Sequence, residues 1–284
     1  MSPQISIGMP VFNCERTLGH AIRSIQHQTY PDWELLIIDD GSNDRTVEIA
    51  NGFRDSRLRV FERDSNLGLP QRLNECIGLA RGQYFARMDG DDVSYPNRLS
   101  QQLRFLERNP DVDLVGGSIS IFSGAGRLRG WRPARLSHDQ ICGTPISRMG
   151  LAHVTWLGRR RWFLENPYHP ERTAAQDRDL LIRTHRRSRF AAIPDVVVGV
   201  REEKFSVKKQ FNGRSQLTTS LLADGLANSD WRSIAAAAFE VAKFGLDLFA
   251  ITSGLGYRVL RHRARPLDPT LVEDWVNTWS SVRA

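Results

Sequence analysis

Two short acidic runs hold the residues whose types and spacing could do chemistry. ELLIIDDGSNDRT places Asp39 and Asp40 at the end of an apolar run. Gly41 then permits a tight turn, and Ser42 or Asp44 can cap a following helix through its free N–H groups. RMDGDDV gathers Asp89, Asp91 and Asp92 around a glycine. In an extended segment Asp89 and Asp91 share a side, and Gly90 between them makes little steric demand. Carboxylates this close repel one another unless a cation offsets them. An all-oxygen donor set suits Mg²⁺ or Mn²⁺, which keep coordination positions for phosphate oxygens. The further acidic positions of an EF-hand loop are missing. Either cluster alone reads equally as a solvated turn. Together, beside a basic half-chain, they point to a nucleoside diphosphate site, with the metal on the diphosphate and Asp40 accepting a nucleobase N–H. No GxGxxG opens the first helix and no GxxxxGK[ST] occurs, so neither a dinucleotide cofactor nor P-loop phosphoryl transfer is supported.

The elements that must position these residues are legible as an alternation. Apolar runs at 5–10, 34–40, 58–63, 83–89 and 113–122 read as strands. Between them Leu18, Ile22 and Ile25, then Leu69, Leu73 and Ile77, then Leu99, Leu103 and Leu106 recur at spacings of three and four, as one-sided helices covering a sheet do. Strands joined through helices lie parallel, and ligand chemistry collects at their carboxyl ends. MPVFN, DDGSND and MDGDD stand at three such ends. Residues 125–175 read as irregular, a helix is expected from Gln176 to Arg183, FAAIPDVVVGVR reads as β, and the chain beyond Lys208 reads as mostly helical.

The 284 residues are 40% hydrophobic and 25% charged, enough apolar content for a real core and unlike disordered or collagenous chains. Cys14, Cys76 and Cys142 are odd in number and far apart, which suggests neither a disulfide framework nor a zinc cluster and fits a reducing cytosolic location. The N-terminus lacks the pattern of a signal peptide. The most apolar stretch, 234–251, carries Glu240, Lys243 and Asp247, too many charges for a lipid span. Residues 1–100 hold 11 Lys/Arg against 14 Asp/Glu, and residues 101–284 hold 28 against 18. A basic half-chain can attract an anionic substrate, an anionic membrane face or nucleic acid. Nucleic acid is not expected, because the acidic clusters would repel its backbone.

The runs ISIGMPVFNCERTLGHAIRSIQHQTYPDWELLIIDDGSNDRT and NLGLPQRLNECIGLARGQYFARMDGDDVSYPNRLSQQLRFLERNP resemble the nucleotide-sugar half of family 2 glycosyltransferases. The resemblance is dense over residues 4–122 and continues more weakly to about 205 through HVTWLGRRRWFLENPY and AAQDRDLLIR. It implies a GT-A fold, α/β with a mostly parallel central sheet flanked by helices. The domain would span 1–205, with a nucleotide-sugar half to 122, an acceptor half from 123, and a helical C-terminal extension over 206–284. It implies metal-dependent, inverting, single transfer of a sugar from a nucleoside diphosphate, UDP or GDP, to a hydroxyl of a glycan or lipid-linked saccharide in bacterial surface polysaccharide or lipopolysaccharide synthesis. Pro10, Phe12 and Asp40 would surround the nucleobase, with Asp39 supporting the loop. Asp91 would be the metal ligand, Asp89 a contact to ribose or metal-bound water, and Asp92 a further acidic group. Asp177 would be the catalytic base, following Gln176 where the family usually has an acidic residue, with Asp179 the alternative. His153 and Arg201 would line the acceptor or diphosphate side. GRRRW lacks the glutamine of the QxxRW element of processive synthases. A nucleotidyltransferase and a non-catalytic sugar-nucleotide or membrane-surface binder are the competing readings.

The C-terminal region carries Phe239, Leu246 and Phe249 at helical spacing, then Arg258, Arg261, Arg263 and Arg265. That pattern fits a segment resting on the inner face of the cytoplasmic membrane. It fits equally a helical appendage packed on the core or a homodimer contact.

Overall fold

The computed structural model describes residues 2–143, 146, 150–202, 206–252 and 267–283. The first part alternates strand and helix: β1 (Ile5–Val11), α1 (Leu18–Gln26), β2 (Trp33–Asp39), α2 (Thr46–Gly52), β3 (Leu58–Phe61), α3 (Leu69–Leu79), β4 (Tyr84–Arg87), β5 (Val93–Ser94) and α4 (Arg98–Arg108). Next come β6 (Leu114–Phe122), β7 (Leu128–Arg132), α5 (His138–Cys142), a 3₁₀ turn (His153–Thr155), β8 (Leu157–Arg159), α6 (Arg160–Glu165), α7 (Gln176–Thr184) and β9 (Phe190–Arg201). The described remainder is helical: α8 (Val207–Ala227), α9 (Trp231–Thr252) and α10 (Pro269–Arg283).

β1 and β2 are buried along their whole length, as apolar runs covered on both faces must be. Leu35 and Ile37 of β2 join one apolar cluster, and Leu36 and Ile38 join the other, because successive side chains point to opposite faces. The expected stripes of α1 and α4 are buried, as are Leu73 and Ile77 of α3.

The described strands form one sheet in the order β3-β2-β1-β4-β8-β6-β9-β5, with β7 beside β6. The four strands β3, β2, β1 and β4 are parallel. The sheet as a whole is mixed rather than mostly parallel, because β8 enters antiparallel between β4 and β6. Its three residues lie in the stretch the sequence reads as irregular, and a strand that short shows no alternation to recognise. Arg159 and Arg160 within GRRRW donate to the carbonyls of Leu106, Pro110 and Ile77, and Arg161 pairs with Glu165.

The C-terminal helices pack on the α/β body at two places. Leu217 and Leu221 of α8 and Ala236 and Ala237 of α9 join the second apolar cluster. α10 packs against α1 and, through Trp275 and Val282, builds a third cluster with Val93, Tyr95, Phe122 and Leu128. The side chains of Leu246 and Phe249, and Arg258, Arg261, Arg263 and Arg265, lie outside the described residues. Among those described, no helix is long and apolar enough to cross a membrane.

Candidate active site

The carboxyl ends of β1, β2 and β4 converge. Pro10 is buried in β1 opposite Ile38, and Phe12, just beyond the strand, is 44% exposed. Asn13, at φ +52°, joins two loops: its N–H donates to Ser42 Oγ and its Oδ1 accepts from Asn43 N, each at 2.9 Å. Asp44 Oδ1 accepts from Thr46 N at the start of α2.

Asp39 and Asp40 part company here. Asp40 accepts from the backbone N–H groups of Leu67 and Gly68 at 2.8 and 2.9 Å and from Arg72 Nε at 2.6 Å. Both its oxygens are spent on holding the loop before α3, in an ion pair whose side chains are only 5% and 6% exposed. Asp39 Oδ2 accepts from Gly41 N and Ser42 N, whereas its Oδ1 is buried with no hydrogen-bond partner among the described residues. The resemblance gives Asp40 to the nucleobase and Asp39 to the loop; in this structure both are buried and both hold loop N–H groups.

In the acidic turn, one ligand oxygen from each of Asp89, Asp91 and Asp92 lies within 4.8 Å of the others. Gly90 is required by close approach: a Cβ there would sit 2.8 Å from Val11 Cγ1 and 3.3 Å from Cys14 Sγ. Arg87 pairs with Asp89. Asp92 is buried, and burial followed by the charges of Asp89 and Asp91 holds its pKa well above the usual carboxylate range. That mutual repulsion, with an all-oxygen donor set, is the situation a hard divalent cation relieves, so these residues fit Mg²⁺ or Mn²⁺. Arg201, at the end of β9, binds the turn from behind: its N–H donates to Asp92 Oδ1 and its Nε to the Asp91 carbonyl, both at 2.9 Å. Its Nη2 is buried with no hydrogen-bond partner among the described residues.

Asp177 lies in the first turn of α7, where the helix dipole favours a carboxylate. The residue before Gln176, Ala175, is held at φ +54°, a left-handed conformation that costs a non-glycine residue about 1–2 kcal/mol. Asp177 opens onto a cleft of about 390 Å³ lined also by Arg132, Arg135, Arg178, Gly117 and Leu151. Among the described residues its carboxylate makes no hydrogen bond or ion pair. Asp179 is the opposite case: buried, it is bound by His169, Arg172, Arg183 and Ser220. The larger cleft of about 680 Å³ lies elsewhere, between α10 and the Tyr95–Asn97 segment, and contains none of the acidic residues above.

His153 Nε2 lies 2.8 Å from Tyr168 Oη, and burial, then the charge of Arg87, pushes its pKa well down, so the imidazole is neutral. Tyr168 is buried beside His153, and burial pushes the pKa of its phenol up. Sequence reasoning missed Arg72, Arg98 and Tyr168. Arg98 is almost wholly buried, donates to the Arg87 and Val154 carbonyls, and has its pKa pushed down to about 9 by burial, then by Arg87. A signal existed for Arg72, which lies three residues after Leu69 on an apolar stripe; Arg98 carried none.

The profile of Glycosyl transferase family 2 matches residues 6–166. EpsE of Bacillus subtilis is 41% identical over 133 residues, 46% of this chain and 48% of EpsE. The Escherichia coli protein WfgD, named a UDP-Glc:α-D-GlcNAc-diphosphoundecaprenol β-1,3-glucosyltransferase, is 33% identical over 119 residues, 42% of this chain and 47% of WfgD. The chain thus spans about half the length of these curated relatives. Among solved structures, S. aureus TarS 1–349 with UDP-GlcNAc superposes with a TM-score of 0.64 at 16% identity, covering 98% of this chain and 79% of TarS. The complex of TarS 1–349 with UDP gives 0.61 at 18%, covering 99% and 80%. These likenesses show the GT-A fold.

Proposed function

The chain belongs to glycosyl transferase family 2, and from that premise we propose that it moves a sugar from a nucleoside diphosphate to an acceptor hydroxyl, with inversion. The observation that carries this reading is the acidic turn, Asp89, Asp91 and Asp92, together with a separate carboxylate, Asp177, that opens onto a cleft and is unpaired among the described residues. Asp91, with Asp89, would hold Mn²⁺ or Mg²⁺, which supplies charge neutralisation at the leaving diphosphate when bound. Arg201, whose guanidinium holds the Asp91 carbonyl, would brace that turn on the diphosphate side. Phe12, 44% exposed beyond β1, would provide an aromatic wall to the nucleobase beside the loop that Asp40 holds. Asp40 keeps the loop that frames that pocket.

Direct displacement with inversion needs a base on the acceptor side, opposite the departing diphosphate. Asp177 is suited to it because, among the described residues, no cation holds its carboxylate, whereas Asp179 is occupied by Arg172, Arg183, the His169 ring and Ser220. Gln176 before it adds no negative charge. Three arginines line the cleft around Asp177, and that charge favours an acceptor bearing phosphate. A saccharide on a diphospholipid, the acceptor class named for WfgD, meets that requirement and fits bacterial surface polysaccharide synthesis.

Such an acceptor lies at a membrane, and α8 and α9 leave Phe211, Leu226, Trp231, Phe239 and Val241 at least half exposed. We assign these exposed apolar groups, spread over both helices, to contact with a membrane surface.

Transfer from UDP- and GDP-sugars to saccharide-diphospholipids, with the anomeric configuration of the product read by NMR, tests the proposal. An inverted linkage is expected. Asp177→Asn keeps the size of the side chain but cannot take the acceptor proton, so kcat should fall by about 10² or more with little change in donor KM. Near-normal turnover in that variant, or a retained configuration, would overturn the assignment.

A further inference from the structure

Arg201 and α10 both lie beyond residue 166, where the match to the family ends, yet they meet at the acidic turn. α10 presents two indoles one turn apart, Trp275 and Trp279, stacked at 5.8 Å with planes 20° apart. Their surroundings differ. Trp275 is 2% exposed, donates its Nε1 to the Gly126 carbonyl at 2.7 Å and packs on Phe122 at 4.6 Å, so it anchors the helix. Two glycines are shaped to these rings: a Cβ on Gly199 would sit 2.3 Å from Trp275, and one on Gly126 2.1 Å from Trp279.

Trp279 is only half-buried, and its contacts lead to the site. His20 of α1 stacks on it at 5.0 Å and 26°. The Arg201 guanidinium carbon lies 6.0 Å from its ring centroid and 4.7 Å from that of Phe122, so the two rings form a corner around the cation. The same guanidinium holds the Asp91 carbonyl through Nε and the Gly124 carbonyl through Nη1, while the Arg201 N–H holds Asp92. Burial, then Arg201 and Arg23, lowers the pKa of His20, so a neutral ring backs the indole and adds no repulsion to Arg201.

We propose that Trp279 is a positioning residue for the diphosphate-binding turn, acting through Arg201. The C-terminal helix thereby becomes part of the donor site although it contributes no ligand to it. Removing the ring leaves the guanidinium packed on Phe122 alone and loosens its hold on the Asp91 carbonyl. A partly desolvated cation–π contact is strong enough for the loss to be visible in binding. The inference rests on the reading that this turn receives the donor diphosphate.

Two measurements on the full chain test it, with Trp279→Ala and Trp279→Phe each compared with wild type well below its Tm. The first is calorimetric titration with UDP and GDP in Mn²⁺, and with uridine and guanosine. Trp279→Ala should weaken the diphosphate that wild type binds by about tenfold and leave the nucleoside unmoved, while Trp279→Phe, which keeps a ring, should recover most of the loss. In an Arg201→Ala background the Trp279→Ala effect should vanish, since it acts through that cation. The second is amide hydrogen exchange without nucleotide: the Arg201 N–H should exchange faster in Trp279→Ala than in Trp279→Phe, relative to Ile7 in the central strand. Unchanged diphosphate affinity with unchanged Arg201 exchange, or additive losses in the double variant, would overturn the proposal. If wild type binds neither nucleotide, the transferase reading fails, and the exchange comparison alone decides the positioning role.

Discussion

Asp39 and Asp40 are adjacent, identical in type and equally placed by the sequence at the end of β2, and only their partners separate them. Asp40 faces Arg72 inside the fold, and removing one partner of a buried ion pair leaves the other charge uncompensated. Asp40→Ala is therefore expected to cost about 3–5 kcal/mol of stability in chemical denaturation. Asp39→Asn keeps one oxygen for the Gly41 and Ser42 N–H groups but buries an amide donor that has no acceptor among the described residues. It is expected to cost less, about 1–3 kcal/mol, the penalty for a buried unsatisfied polar group. Equal costs in the two variants would erase that distinction. No sequence argument could have settled this, because the choice depends on Arg72 folding back from α3. Asp177 is singled out by the resemblance alone, since nothing local in the sequence separates it from Asp179 two residues on; only the structure shows that their partners differ.

At the scale of elements, β1, β2, β4 and the helices around them were readable because long apolar runs and three-and-four spacings are local signals. β8 was not, since three residues carry no period, and its antiparallel entry is decided by where the 3₁₀ turn lets the chain come back. α10 was readable as a helix but not as part of the site: its two indoles act on Phe122, Gly126 and Arg201, residues distant in sequence. The α8–α9 face leads to a separate expectation. Apolar groups on that face, beside a strongly basic C-terminal half, should bind vesicles more as anionic lipid rises and less as salt rises. Sedimentation at low salt with neutral and anionic vesicles checks this, and equal recovery in the supernatant would leave the face to another partner.

Taken whole, the molecule combines a mildly acidic nucleotide half with a basic remainder, so the acidic turn is the place in the described structure where a cation is most needed. Its histidines add a pH dependence. His20, His138 and His153 all have pKa values lowered by burial first, His153 furthest, below the ordinary 6.5. The unfolded chain then binds more protons than the folded one as pH falls below that ordinary value, so stability drops with falling pH. Tm should decline from pH 7 toward 5.5, and His153→Gln, which can still meet the Tyr168 hydroxyl, should decline less; a slope unchanged in that variant would place the proton uptake elsewhere. The central claim is that the Asp89–Asp92 turn takes a divalent cation together with a nucleoside diphosphate, and calorimetric titration of wild type and Asp91→Ala with UDP and GDP, each with and without Mn²⁺, tests it most directly. The account predicts metal-dependent binding of one nucleotide by wild type and its near loss in Asp91→Ala at unchanged Tm; binding of equal strength without metal, or undiminished in the variant, would contradict it.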